Sequence, residues 1–256
     1  MIHIHRAKDR GHFDYGWLNT WHTFSFGDFS DPERCGFHCI RVINQDRIVP
    51  GSRFETHFHQ DMEIVSYVVE GALGHIDSFG NGSSIRPGEV HYLGAGTGVT
   101  HSEFNQSQNQ ATEFLQIWIP PNVEGAAPTY DQRVFSTAAR LGQLCLVASG
   151  DGRDKSIRIR QNLDIHASLL KTEQRLSTSI DHNAAVWLQL IRGSLVVNDH
   201  LLDPGDGLCA EDVARLDIRS RAPGDPHTNM AEFLLIVMPL GLAKEAAYRV
   251  LRNLRE

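Results

Sequence analysis

The sequence predicts an all-β protein built from two copies of one antiparallel sandwich or barrel. Three observations predict it. Short strands broken by turn residues recur at roughly ten-residue spacing. The same strand and turn signals occur twice, in the same order. A convincing helical pattern occurs only near the C-terminal end.

The elements follow in order. Residues 64–69 are β-branched-rich and stop at Glu70-Gly71, and residues 73–77 alternate and run into Gly80-Asn81-Gly82. Ile85 leads into the turn Pro87-Gly88-Glu89, which feeds residues 90–93, and residues 114–119 form a further strand ended by Pro120-Pro121. β-branched and aromatic residues fit a pleated, half-buried surface, and Gly and Pro punctuate it. From Ala243 to Leu254 the pattern changes: Ala243, Ala246, Ala247, Val250, Leu251 and Leu254 fall on one helical face.

The repeat is explicit. Residues 65–71 correspond to 187–193, residues 87–89 to 204–206, and residues 113–117 to 232–236, at offsets of 122, 117 and 119. Small drift in the offset is what loop insertions and deletions in a duplicated domain produce. A period this long means two domains of one fold rather than a solenoid. The linker is expected within residues 120–140, which divides the chain into an N-terminal metal-binding domain, 1–125, and a C-terminal degenerate domain without a metal site, 126–256.

Composition bounds the function. The chain has 256 residues, 41% hydrophobic and 21% charged, which suffices for a buried core and excludes wholesale disorder. The formal net charge of −7 and the lack of a basic run argue against direct nucleic-acid binding. The longest apolar stretch, residues 233–243, is too short for a membrane span and contains Pro239 and Gly241. The N-terminus lacks a secretory pattern. The four cysteines, Cys35, Cys39, Cys145 and Cys209, are too scattered for a disulfide scaffold or a closed zinc site. A soluble, cytoplasmic protein is expected.

Of the 14 histidines, ten precede residue 102: His3, His5, His12, His22, His38, His57, His59, His75, His91 and His101. His57-Phe58-His59 lies in a strand-like segment, where residues two apart share a face, so both rings can converge on one ion. His101-Ser102-Glu103 repeats that spacing. Two such pairs facing each other supply three imidazoles and one carboxylate, a set suited to a catalytic iron, copper, nickel or manganese ion with open positions. The duplication acts as an internal control: His57 and His59 map onto Ser179 and Asp181, and His101 and Glu103 map near Ser220 and Ala222. The second copy keeps the strand signals and loses the imidazoles. His75 and His91 are read as satisfied barrel or surface groups. His22, within the aromatic segment of Trp21, Phe24 and Phe26, is read as part of a strand packing on the barrel.

Gly51 and His57-x-His59-x-x-x-Glu63, followed by Gly71, resemble the first cupin motif, and Gly96-Thr97-Gly98-Val99-Thr100-His101-x-x-x-Asn105 resembles the second. With the duplication, the chain resembles a bicupin: two antiparallel β-barrel domains of jelly-roll type and a C-terminal helix. The more specific resemblance is to the pirin family, through Gly11-His12-Phe13-Asp14-Tyr15-Gly16-Trp17, Trp21-His22-Thr23-Phe24-Ser25-Phe26-Gly27, His57-Phe58-His59, and residues 95–103. It covers most of residues 1–120 in detail, and is closer to the bacterial members described as quercetinases than to the nuclear eukaryotic ones.

The resemblance implies metal ligands His57, His59, His101 and Glu103, with Glu103 also the catalytic base. Most cupins take the carboxylate from the first motif, near Glu63, which shares strand parity with His57 and His59; pirins take it two residues after the third histidine, and Glu103 is preferred here. The implied cofactor is one divalent transition-metal ion, iron first, with nickel, copper, manganese, cobalt and zinc as other occupants. The implied activity is that of a quercetin 2,3-dioxygenase, an oxidoreductase that opens a flavonol ring with dioxygen and releases carbon monoxide. The expected partners are a small aromatic substrate and dioxygen, with no direct nucleic-acid contact, no membrane, and a monomeric state. The alternative is a metal- and redox-dependent regulatory protein of the pirin type with a protein partner.

Overall fold

The computed structural model describes residues 1–221 and 229–241. The helix expected over residues 243–254 lies outside the described residues. Within them the chain is an all-β protein, as expected, with a single α-helical turn, α1 (Thr137–Arg140). No helix among the described residues is long and apolar enough to cross a membrane.

The strands in chain order are β1 (Ile2–His5), β2 (Gly11–Asp14), β3 (Leu18–His22), β4 (Val42–Ile48), β5 (Arg53–His59), β6 (Glu63–Glu70), β7 (Leu73–Asp77), β8 (Gly82–Ile85), β9 (Glu89–Gly94), β10 (Val99–Asn105), β11 (Thr112–Ile119) and β12 (Thr129–Val134). They continue as β13 (Cys145–Ser149), β14 (Ile157–Arg158), β15 (Asp164–Lys171), β16 (Arg175–Ser179), β17 (Ala184–Arg192), β18 (Ser194–Val197), β19 (His200–Leu202), β20 (Gly207–Glu211), β21 (Arg215–Arg221) and β22 (Met230–Pro239).

Two compact units form. One gathers Arg10–Val134 with Ile157–Gln161; the other gathers Met1–Asp9, Phe135–Ser156 and the described residues from Asn162 onward. These boundaries differ from a cut at residue 125/126, for two reasons of strand pairing. β12 closes the edge of its own sheet by pairing with β9, from Thr129 opposite Gly94 to Val134 opposite Glu89. β1 instead pairs with β20, from Ile2 opposite Ala210 to His5 opposite Gly207, and Arg6 adds an ion pair to the nearly buried Asp206 at 2.7 Å.

Each unit has the antiparallel two-sheet pattern of a jelly roll, and apart from the edge strand β2 the two patterns match in order. The Arg10–Val134 unit has one sheet ordered β12-β9-β6-β11-β4-β3-β2 and another ordered β5-β10-β7-β8. The second unit repeats this with the orders β1-β20-β17-β22-β15-β13 and β16-β21-β18-β19. The central strands β6 and β17 are buried along nearly their whole length, which explains why they are mostly apolar, interrupted only by Ser66 and Gln189 between their ends. β10 and β21 alternate buried and more exposed residues, as half-buried strands do.

Gly71 and Gly193 show the duplication at the level of single atoms. Both follow the central strand, both have positive φ (+78° and +82°), and an added Cβ would lie 2.6 Å from Ala111 O in one and 2.7 Å from Met230 O in the other. Only glycine fits such a corner without strain.

The interiors differ. In the second unit one cluster gathers 16 buried apolar residues, among them Leu188, Leu190, Leu195, Val197, Leu216, Ile218 and Phe233. At about 1.5–3 kcal/mol per fully buried large aliphatic side chain, this cluster is a main source of that unit's stability. In the Arg10–Val134 unit, one cluster forms around Ile64, Leu93, Val99 and Trp118, and another around Ile48, Val68, Leu73 and Phe114. Polar side chains occupy the face of β5, β10 and β7.

Candidate metal centre

Three neighbouring strands each send an i, i+2 pair of polar side chains to one face. β5 sends His57 and His59, β10 sends His101 and Glu103, and β7 sends His75 and Asp77. In the ladder His57 lies opposite His101, while on the other side of β10 His101 lies opposite Asp77 and Glu103 opposite His75. A bulge between His101 and Glu103 locally shifts the register with β5.

His57, His59 and His101 come together as expected: their donor atoms all lie within 4.8 Å of one another. His57 Nε2 and His101 Nε2 are 2.9 Å apart. His57 Nδ1 is 2.8 Å from the carbonyl of Glu55, so it donates there and leaves Nε2 as a bare lone pair. His59 Nε2 is buried without a hydrogen-bond partner. Burial, reinforced by the charge of His57, pushes His59 down to about 3, and burial with the neighbouring imidazoles pushes His101 down to about 2. Both rings are therefore neutral and ligand-competent.

Glu103 shares its closest donor grouping with His75 and His101 rather than with His57 and His59. It is 2% exposed, its Oε2 accepts from Gln116 Nε2 at 2.8 Å, and its Oε1 has no partner. Gln116 is itself oriented by accepting from Trp118 Nε1 at 2.7 Å. Burial pushes Glu103 up to about 7 against the Gln116 hydrogen bond, and the charge of Asp46 adds to the rise. Glu63 has other work: its carboxylate accepts from Tyr92 Oη at 2.7 Å, Arg160 N at 2.7 Å and Gln161 N at 2.9 Å.

The donor chemistry fits one divalent transition metal. His57 Nε2 and His101 Nε2, 2.9 Å apart, are close enough that both imidazoles could serve one ion. An unpartnered imidazole nitrogen and an unpartnered carboxylate oxygen, both buried, complete a set of neutral and anionic donors that such an ion satisfies.

A cavity of about 760 Å³ opens onto the site and is lined by His57, Glu103, Gln116 and Trp118. Its walls include Tyr15, Trp17, Phe26 and Phe54, with Thr20, Asn44 and Asp46 among its polar lining. His22 lines it as well, so the aromatic segment is cavity wall in addition to a strand packed on the sheet. His75 and His91, expected to be satisfied groups, are wholly buried beside His101, and neither nitrogen of His91 has a partner among the described residues. The signal for β7 was available: His75-x-Asp77 has the spacing of the other two pairs.

The ladders also refine the internal comparison. Setting the equivalent corners Gly71 and Gly193 in register puts Leu195 and Val197 at the positions of Leu73 and His75, and the ladders then put Ile218, Leu216 and Thr178 at those of Glu103, His101 and His57. Ser179 is thus not the counterpart of His57, because the bulge beside His101 shifts the register by one residue. Among the described residues of the second unit no three potential ligands come together.

Fold and site together define a two-domain cupin with a histidine-lined interior in its first domain. Residues 3–119 match the Pirin family model and residues 146–236 match the model described as the quercetinase C-terminal cupin domain. The chain is 41% identical over 221 residues to a quercetin 2,3-dioxygenase of Escherichia coli K12, covering 86% of this chain and 94% of that one. It is 34% identical over 209 residues to a pirin-like protein of Caulobacter vibrioides, covering 81% and 90%. Among solved structures, the bacterial pirin YhhW of Escherichia coli in complex with nickel(II) matches with a TM-score of 0.86 at 37% identity, covering 94% of this chain and all of that one. The chain belongs to the pirin family.

Proposed function

We propose that the chain is a metal-dependent dioxygenase acting on a flavonol-like aromatic substrate, with His57, His59, His101 and Glu103 holding one divalent ion. The carrying observation is the pair of ring nitrogens 2.9 Å apart, one of them a bare lone pair, beside the unpartnered His59 nitrogen. Iron is the first choice of ion; nickel, copper, manganese, cobalt and zinc suit the same donors. When bound, the ion would supply Lewis acidity and the one-electron chemistry by which dioxygen reacts with an organic anion.

The residues do the rest. The aromatic walls of the cavity take a flat polyphenol, and its volume lies in the range of small-molecule sites. Glu103 Oε1 has two lone pairs, and the one that would not face the ion accepts the proton of the substrate's 3-hydroxyl while Gln116 holds Oε2: the O–H bond breaks, the carboxylate becomes a carboxylic acid, and the substrate becomes an anion. The net change takes up one dioxygen, places both oxygen atoms in the opened product and releases one carbon monoxide. The relatives named as quercetin 2,3-dioxygenases and the nickel complex of a pirin support this reading. Metal-reconstituted protein should consume oxygen with quercetin, and Glu103→Ala should abolish uptake. Unchanged uptake in a His57→Ala/His101→Ala variant would refute it.

One observation favours a second reading, a regulatory protein whose partner senses the metal's oxidation state. Phe58, between His57 and His59, and Ile76, between His75 and Asp77, point away from the site and are 59% and 53% exposed. Partner capture that changes with oxidation state and is lost in Phe58→Ser supports this reading; capture independent of both removes it.

A further inference from the structure

We infer that Asp77 and His75 are positioning residues that fix which nitrogen of His101 is free to bind the metal ion. The inference rests on the metal-binding reading above. Asp77 is anchored as an acceptor: Oδ1 takes the backbone N–H groups of Phe79 and Asn81 at 2.9 and 3.0 Å, and Oδ2 takes Asn81 Nδ2 at 2.8 Å. The remaining approach to Oδ2 is filled by His75 Nε2 at 3.4 Å. A carboxylate held this way can only accept, so the His75 proton sits on Nε2 and its Nδ1 is a lone pair. That lone pair faces His101 Nδ1 at 3.4 Å, so His101 carries its proton on Nδ1 and presents a bare Nε2.

The chain Asp77–His75–His101 therefore does on one side what the Glu55 carbonyl does for His57 on the other. Both free Nε2 lone pairs end up facing each other. Histidines that bind metals generally donate their second ring N–H to a carboxylate, carbonyl or water, which fixes tautomer and orientation; here a second imidazole is interposed. His75 is 0% exposed, so water does not compete for its nitrogens. The duplication supports a role separate from folding. The second unit carries the buried Val197 at the position of His75, and the strand beside it, β21, carries no imidazole.

The test is titration of cobalt(II) into chelator-stripped full-length protein, followed by its visible absorption and by competition for affinity. Asp77→Asn places an amide donor opposite His75 Nε2, reverses the tautomers down the chain and protonates the ligating nitrogen. Asp77→Asn and His75→Leu should each weaken cobalt affinity about 10- to 100-fold and alter the absorption bands. His75→Asn puts a carbonyl oxygen near the place of Nδ1 and should recover most of that loss, while the urea midpoints of the metal-free His75→Leu and His75→Asn variants stay alike. His57→Ala is the reference and should lose binding. If Asp77→Asn and His75→Leu bind as the unaltered protein does while His57→Ala does not, or if His75→Asn is as weak as His75→Leu, the positioning role is overturned and the metal site stands. If His57→Ala also binds normally, the metal-site reading itself fails.

Discussion

Replacing Glu63 by glutamine separates the two carboxylates that compete for the fourth ligand position. Glu63 Oε1 accepts two hydrogen bonds and Oε2 one, so the amide nitrogen of glutamine settles at Oε2, the cheaper orientation, and confronts the Gln161 N–H. One charge-assisted bond worth about 1.5–3 kcal/mol is lost and a buried donor is left unpaired at a cost of about 1–3 kcal/mol. The two surviving bonds weaken as the acceptor loses its charge. Against this, the desolvation that raises the pKa of Glu63 is relieved. The expected net destabilisation is about 2–4 kcal/mol, read as a lowered urea midpoint at unchanged m-value. Nickel(II) affinity of the folded protein should be unchanged, whereas Glu103→Gln should lower it with little effect on the midpoint. A Glu63→Gln variant as stable as the unaltered protein, or one that loses nickel as Glu103→Gln does, would refute the assignment of Glu63 to holding residues 160–161.

Nickel(II) at a free concentration 100 times its dissociation constant should raise unfolding stability by about 2.7 kcal/mol, and His59→Ala should abolish the increase in a thermal scan. Gly71→Ala forces a side chain into a positive-φ corner 2.6 Å from Ala111 O and should destabilise by about 2 kcal/mol or more; a neutral effect in urea unfolding would contradict the close approach. His22 is pushed down to about 4 by burial, against the pull of its hydrogen bond to the Phe26 carbonyl. The unfolded chain therefore binds this proton first, and stability fully present above about pH 6.5 is lost as pH falls toward 4, by up to about 3 kcal/mol from this one group. His22→Phe should flatten that part of the pH–stability curve of the metal-free protein, and an unaltered slope between pH 6.5 and 4 would count against it.

Much of the fold was legible because its cause is local. Period-two alternation in β10, the long apolar runs of β6 and β17, and the Gly71 and Gly193 corners are written into neighbouring residues. So were the imidazole pairs, because two residues apart on a strand means one face. What the sequence hid is non-local. The pairing of His75-x-Asp77 beside His101 depends on β7 lying against β10, which no spacing along the chain reveals. Counterparts in the second copy were misplaced for the same reason, since an offset follows loop length while equivalence follows hydrogen-bonded register. The cavity wall around His22 likewise needs β3 laid beside β4.

The pairing of β1 with β20 has a consequence for the order of events during synthesis. Ile2 waits for Ala210, a partner made 208 residues later. At about 5–20 residues per second, that interval is roughly 10–40 s. Through that time the strand holding His3 and His5 trails from the ribosome without its partner strand. The open edge of β20 is closed only when this earlier-made segment returns, so removing residues 1–9 would leave an unsatisfied row of backbone donors and acceptors that invites self-association.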